Sequence, residues 1–313
     1  MHRHGPLRPV TGNHDSADRR RGRNRFRNVT LPLLLLSLPA MLYFLAFHYM
    51  PMFGAVLAFK DYKYMDGIFG SAWSGFKNFE FFFTSQDAWR ITRNTVGYGL
   101  AFIAVDNLSA LAVALLLYEI RSRWALKVYQ TSMIMPRFLS WVLVGYITYA
   151  LLNPTMGAVN RLLESFGFDT FDWYSRVWYW PFILVAVEAW KHVGLNALIY
   201  YAALMGIDPE YYEAAKIDGA GRWMQMRHIS LPSVMPVVSI LALLAVGNVF
   251  RGDFGLFYQI PRDIGILYPA TDIIDTYVYR GLKHADIGMT AAVGLFQSAV
   301  GLALALVVNG IVR

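Results

Sequence analysis

Apolar residues in this chain gather into six long blocks: Leu31 to Met50, Thr95 to Tyr118, Tyr129 to Leu152, Tyr179 to Met205, Val234 to Phe250 and Gly288 to Val312. Each approaches the roughly 20 residues that an α-helix needs to cross the hydrocarbon core. The pattern predicts an all-α integral membrane protein with six transmembrane helices. A basic region precedes the first block, as in a signal peptide, but the apolar run exceeds the usual core of one and five more spans follow. The first block is therefore expected to be a retained anchor.

Composition agrees, with 56% hydrophobic and only 16% charged residues, against about a quarter charged in soluble domains. There is no cysteine, which excludes disulfides, thiol nucleophiles and thiolate metal sites. The formal charge of +7 invites a nucleic-acid reading, and its distribution argues against one. Eight arginines, from Arg3 to Arg27, precede the first block, and three cations sit in the short loop Glu119 to Lys127. Lys and Arg near span ends mark the cytoplasmic side. Two spans separate these regions, so both face the cytoplasm, and four spans place Glu213 there too. The aromatic-rich segments Pro51 to Arg93, Asn153 to Trp178 and Arg251 to Asp286 are then extracytoplasmic, as expected of short interfacial helices. The chain divides into a basic cytoplasmic tail (1–29), a first transmembrane helix with an extracytoplasmic interfacial segment (30–93), and a core (94–313) containing a cytoplasmic loop at 206–232.

That loop carries the sharpest local signal. Asp208 before Pro209 is a helix start, an N-cap acceptor followed by a proline whose missing N–H costs nothing. Helix continues from Tyr211 to Asp218, and Ala214 and Ala215 are small enough for a foreign surface to approach. Gly219 and Gly221 permit the turn. A second short helix runs to about His228, and Pro232 opens the fifth span. The spacing Glu213-Ala214-Ala215, Gly219, Ile229, Leu231-Pro232 resembles, at every position, the cytoplasmic signature of permease subunits of binding-protein-dependent ABC importers. Ile207 to Ala220, Gly75 to Phe79, Trp89 with Asn94-Thr95, Pro136 and Asn153 to Leu163 resemble the carbohydrate-importing branch, most nearly its alginate-oligosaccharide permeases.

The resemblance implies a type I importer permease fold in the bacterial inner membrane, with both termini cytoplasmic. It implies four kinds of partner: a second, similar permease subunit, two ATPase subunits, an extracytoplasmic solute-binding protein and an oligosaccharide. It assigns ATPase coupling to Glu213, Ala214, Ala215, Asp218, Gly219, Ile229, Leu231 and Pro232. In that family the Glu213 helix docks in a cleft of the ATPase, and ATPase closure drives alternating access. ATP and Mg would be held by those partner subunits. This chain has no G-x-x-x-x-G-K-[ST] phosphate loop, no H-E-x-x-H metal motif and no G-x-S-x-G elbow, so no cofactor, metal or catalytic role is expected of it.

Inside the membrane, Glu188, Lys191, His192 and Asn196 recur at three- and four-residue steps, on one face of the fourth span. Each charge at mid-bilayer costs about 2.5 to 3.5 kcal/mol on insertion scales, so this face meets protein or water. Either it lines a substrate path, with Trp190 stacking on a sugar ring, or Glu188 and Lys191 form a self-neutralising pair. Asn248, Arg251 and Asp253 either line the outer mouth of that path or reach interfacial water. Asp106 and Asn107 read mainly as bonds to a neighbouring helix, Arg137 as a snorkelling anchor, and Gln297 as a minor path candidate. Lys191, His192 and Arg251 suit a carboxylate-bearing sugar, with a neutral oligosaccharide as the alternative. An intramembrane enzyme or a proton-coupled transporter built on Glu188 and His192 would leave the Glu213 motif unexplained.

Overall fold

A computed structural model of the chain describes residues 32–312; the arginine-rich tail and Arg313 lie outside them. The described residues fall into two units, one ending at Val56 and one beginning at Leu57. The first is helical, with one wide π turn at Leu45–Tyr49. Pro51 explains it: proline cannot donate to the carbonyl four residues back and its ring crowds that group, so the turn before it opens.

Five helices are long and apolar enough to cross a membrane: Pro32–Phe59, Gln86–Tyr118, Val177–Met205, Arg222–Val246 and Ile287–Gly310. The expected third span is broken. Arg123–Phe138 and Trp141–Leu152 meet at 102°, and they make a sixth crossing only if taken together. The second span starts at Gln86 rather than Thr95, because Ser85 caps it by accepting from the Ala88 N–H. The fifth starts earlier still: helix runs from Arg222 through a π turn at Met226–Ser230 into Leu231–Val246, so Pro232 lies within helix instead of opening it. The π turn spans the residue four before Pro232, the same proline effect as in the first span. Between spans lie short helices, among them Lys77–Thr84, Ala158–Ser165, Phe254–Gln259 and Ile274–Lys283. The only strands among the described residues are Lys60–Asp61 and Ala72–Trp73, a two-residue antiparallel pair.

The second and fourth spans make the most extensive helix contact. Ala110, Ala114 and Ala197 are fully buried there, with Tyr200, Leu204 and Val234 filling the flanks. Small residues suit a lipid-embedded contact, where dispersion between close backbones replaces the hydrophobic drive available in water.

The break in the third span is built from both sides. Pro136 occupies the short 3₁₀ segment Met135–Phe138, and Ser140 caps the next helix by accepting from the Leu143 N–H. The carbonyls stranded before the break receive a cation: Lys191 Nζ donates to Pro136 O at 3.3 Å, to Arg137 O at 3.2 Å and, at closer range, to Leu139 O. Its side chain is buried. A positive charge at a helix C-terminus is also the favourable sense of the helix dipole. One turn further along, Gly194 lies under the first half of the broken span, where an added Cβ would overlap the carbonyl of Met133.

Outside the spans, Asp272 ties the segment before the sixth span to the second span. Its buried carboxylate accepts from Arg280 at 2.6 Å, Arg90 at 3.1 Å and Thr276 at 2.8 Å. Asn94 adds bonds to the Asp272 and Pro269 carbonyls at 2.9 and 3.2 Å.

Lys191→Met removes a donor from three carbonyls, of which Pro136 O keeps the Leu139 N–H, and a buried polar group left unsatisfied costs about 1 to 3 kcal/mol. The variant is expected to show a lower unfolding midpoint in detergent and a lower folded yield, with Lys191→Arg retaining part of both. A wild-type midpoint would remove Lys191 from the break. Gly194→Val is expected to reduce folded yield further, because backbone rather than a flexible side chain stands in the way; a normal yield in that variant would show that the two helices can separate without loss.

Candidate coupling helix and intramembrane polar sites

The helix Pro209–Ile217 begins as the sequence predicts, with Asp208 accepting from the Glu210 N–H at 3.0 Å and proline in the first turn. It ends in a Schellman turn. Gly219 has φ +79°, its N–H donates to Lys216 O at 3.1 Å, and the Ala220 N–H donates to Ala215 O at 2.8 Å. Gln225 then donates to the Ala220 carbonyl at 2.7 Å, which holds the next helix against the turn.

Glu213 and Ala214 are exposed and Ala215 half-buried, so the small face is open to an incoming surface. Ile217 and Trp223, at 87% and 70% exposure, are large apolar side chains beside it. Two contacts anchor this loop, neither of which the spacing of the motif announces. Tyr212 and Ser230 hydroxyls meet at 2.9 Å, joining the helix to the base of the fifth span. Arg222 pairs with Glu119 at 2.9 Å, joining it to the end of the second. Glu119, Tyr212, Glu213, Lys216 and Arg222 line a cleft of about 560 Å³. Ile229 lies in the π turn, and Leu231 and Pro232 in the first turn after it.

The polar residues expected along the membrane path separate into three groups. In the first, the pair formed is not Glu188 with Lys191: His192 Nδ1 stands 2.9 Å from Glu188 Oε1, while Lys191 serves the break. Glu188 is buried, and its Oε2 has no hydrogen-bond partner among the described residues. Trp190 turns the other way and is 45% exposed. In the second group, Asn196 joins Asp106, Asn107 and Tyr200 around a cavity of about 270 Å³ between the second, fourth and fifth spans. Asn107 bonds a neighbouring helix, as expected, accepting from the Tyr200 hydroxyl. Asp106 does not, and its Oδ1 is buried without a partner among the described residues.

In the third group, Asn248 and Arg251 share a pocket of about 520 Å³ with Asp275, Gln297 and Ser298. Asp275 Oδ2 accepts from the Gly252 N–H at 3.0 Å and from Gln297 at 3.1 Å. Burial pushes its carboxyl above the usual range, partly offset by those donors and by nearby Arg251. Asp275 belongs to an interfacial segment whose aromatic content masked it. Asp253 stands apart: one oxygen caps Phe254–Gln259 through the Gly255 N–H at 2.9 Å, and the other accepts from Trp141 Nε1 at 2.7 Å.

Comparison with known proteins matches residues 107–313 to the family described as "Binding-protein-dependent transport system inner membrane component". The polygalacturonan/rhamnogalacturonan transport system permease protein YteP of Bacillus subtilis (strain 168) is 37% identical over 283 residues, covering 90% of this chain and 87% of YteP. Protein LplB of the same organism is 37% identical over 287 residues, covering 90% and 88%. Among solved structures, a bacterial ABC transporter involved in the import of the acidic polysaccharide alginate superposes with a TM-score of 0.83 at 29% identity, covering 93% of this chain and 98% of that one. An alginate ABC transporter in complex with alginate pentasaccharide-bound periplasmic protein gives 0.81 at 30% identity, covering 92% and 96%. With the family model matched over residues 107–313 and relatives 37% identical over nine tenths of its length, the chain belongs to the inner membrane components of binding-protein-dependent transport systems.

Proposed function

We propose that this chain is one permease subunit of an ATP-driven importer of oligosaccharides, and that its cargo is acidic. The observation that carries the reading is the exposed Glu213 helix, closed by the Gly219 turn and continuous, through Arg222, with the fifth span. A surface loop rigidly joined to a membrane helix is suited to pass on a displacement. The chain is not an enzyme. ATP and Mg belong to two partner ATPase subunits, one of which receives Glu213 and the Ala214–Ala215 face in a cleft with a basic residue. A second, non-identical permease completes the membrane path, and a loaded extracytoplasmic binding protein delivers the sugar. The loop side is the cytoplasm, from the arginine-rich tail and the cations of Glu119–Lys127.

The cargo class is supported by the polygalacturonan/rhamnogalacturonan named for YteP and the alginate named for the superposed transporters. Asn196, Asn248, Arg251 and the Glu188–His192 pair are the polar groups left to meet a sugar. Lys191 and Asp253 shape the path from behind, since their polar atoms are already engaged. Neutral oligosaccharides on the same machinery are the second reading, favoured by Glu188 Oε2 and Asp106 Oδ1, acceptors that suit hydroxyl donors.

Glu213→Ala and Gly219→Val are expected to reduce substrate uptake at least about tenfold while the complex still assembles. The valine adds the strain of a left-handed β-branched residue, about 1 to 2 kcal/mol. Uptake at the wild-type rate, at matched expression, would sink the lever assignment. For cargo, the co-purified complex in lipid, with its binding protein, is expected to raise ATP hydrolysis with uronate oligosaccharides and not with neutral ones. Stimulation by neutral sugars alone would keep the machine and discard the acidic class; persistent failure of an ATPase to co-purify would discard the machine.

A further inference from the structure

On the side opposite the coupling loop, Tyr146, Tyr149, Tyr258, Gln259 and Arg262 line a pocket of about 200 Å³. No part of it belongs to the path residues described above. Tyr146 and Tyr149 stand on the second half of the broken third span, and the other three belong to the segment after the fifth. Arg262 is exposed, and its guanidinium lies 4.0 Å over the centre of the Tyr149 ring. Among the described residues it makes no ion pair and no side-chain hydrogen bond. Stacking engages only the face of the guanidinium, so its N–H edges stay free for a planar acceptor.

The chain accepts backbone strain to put it there. Arg262 and Asp263 are consecutive left-handed residues, at φ 61° and 51°, and neither is glycine. Asp263 has its own reason: its carboxylate accepts from Tyr268 at 3.0 Å and from Arg280 at 3.4 Å. That pairing also removes the nearest acid from competition for Arg262. The platform beneath is fixed in advance. Tyr149 packs edge-on against Tyr174, whose hydroxyl bonds the Ile260 carbonyl two residues before Arg262. On the far side, Lys283 donates to the Tyr258 hydroxyl at 3.0 Å and lies over the rings of Tyr258 and Tyr279. One cation thus lies over Tyr149 and another against Tyr258, and no carboxylate lines the pocket.

We infer that this pocket is a binding subsite for one uronate unit of the cargo, with Arg262 taking the carboxylate and the tyrosines the ring. Carboxylate pairing with an arginine fork is directional as well as charged, and a tyrosine face is a flat apolar surface for the C–H side of a sugar. The volume is below the roughly 300 Å³ of a complete small-molecule site, which suits one ring of a longer chain. This inference rests on the importer reading, and places part of the discrimination for acidic sugars at the mouth of the path instead of in the membrane.

The test uses the assembled transporter in proteoliposomes at saturating, loaded binding protein. Two cargoes are compared: trigalacturonate and the same trisaccharide with its carboxyls reduced to alcohols. Arg262→Gln is expected to lower the ratio of maximal uptake rates, acidic over reduced, by about tenfold, the scale of one lost charge-assisted contact. Arg262→Lys is expected to restore part of the ratio. Arg262→Gly, which relieves the backbone strain, is expected to match Arg262→Gln and so separates recognition from folding. An unmoved ratio overturns the assignment of Arg262 while leaving the importer in place. Equal loss for both cargoes also overturns it, and assigns Arg262 to docking of the binding protein. Uptake of the reduced cargo alone by the wild type overturns the acidic class and this subsite together; uptake of neither overturns the importer reading on which both rest.

Discussion

A membrane helix can be broken only where protein groups or a water-filled cavity take over its backbone hydrogen bonds. In this chain that substitute is the ammonium of Lys191, and much of the unit from Leu57 onward depends on it. The break lets Arg123–Phe138 turn by 102° away from Trp141–Leu152. Lys191 also lies 4.9 Å over the Trp141 ring, at the start of the second half. Trp141 donates to Asp253, Asp253 caps Phe254–Gln259, and that helix carries Tyr258 and leads to Arg262. One buried cation on the fourth span is therefore linked, contact by contact, to the loop at the mouth. A charge that would be a liability in lipid is neutralised by carbonyl dipoles that would be equally costly without it.

The other end of the molecule uses covalent continuity. Arg222–Val246 is one helical path, with a π turn before Pro232 and an interior proline at Pro236, so the Gly219 turn feeds directly into the fifth span. Tyr212 to Ser230 and Arg222 to Glu119 close two side-chain bridges around that turn. On the proposed lever reading, a load applied at Glu213 has two routes inward, one along the fifth span and one into the second. The second span is itself packed on the fourth through alanines, a contact of rigid surfaces with little side-chain slack. The Arg222–Glu119 pair is exposed and contributes little to stability on its own. Its role is geometric, fixing the bearing of the turn.

Six apolar blocks, the helix cap at Asp208 and the turn at Gly219 were legible because each follows from a local rule: span length, a side-chain acceptor before proline, and a positive φ. The break in the third span was not, although Pro136 and Ser140 stand on either side of it. Both residues also occur in unbroken membrane helices, and what decides the matter is Lys191, some fifty residues away. The same holds for charge pairing on the fourth span. Helical spacing offered Glu188 both Lys191 at three residues and His192 at four, and only the third span, by claiming Lys191, settles the choice. Asp253 and Asp275 show the converse failure. Sequence proximity grouped Asp253 with Asn248 and Arg251, whereas the fold hands its oxygens to Trp141 and to a helix cap, and brings Asp275 into the pocket from an interfacial helix.

The distribution of uncommitted charge bears on where the acidic cargo proposed above would be recognised. Among the described residues, the buried carboxylate oxygens without protein partners on the second and fourth spans are Glu188 Oε2 and Asp106 Oδ1, while the Lys191 ammonium is spent on backbone carbonyls. A ligand carboxylate at those positions would meet like charge in a medium that screens it poorly. Sugar hydroxyls would meet acceptors. Arg251 and Arg262, by contrast, are exposed and lie on the side away from the coupling loop. For the acidic cargo proposed above, that arrangement suits a carboxylate at Arg262 and hydroxyls further in. On that proposal, a deep site with no free ammonium would not hold an anion so tightly that release becomes slow, since an ammonium and a carboxylate desolvated together part only at a high cost.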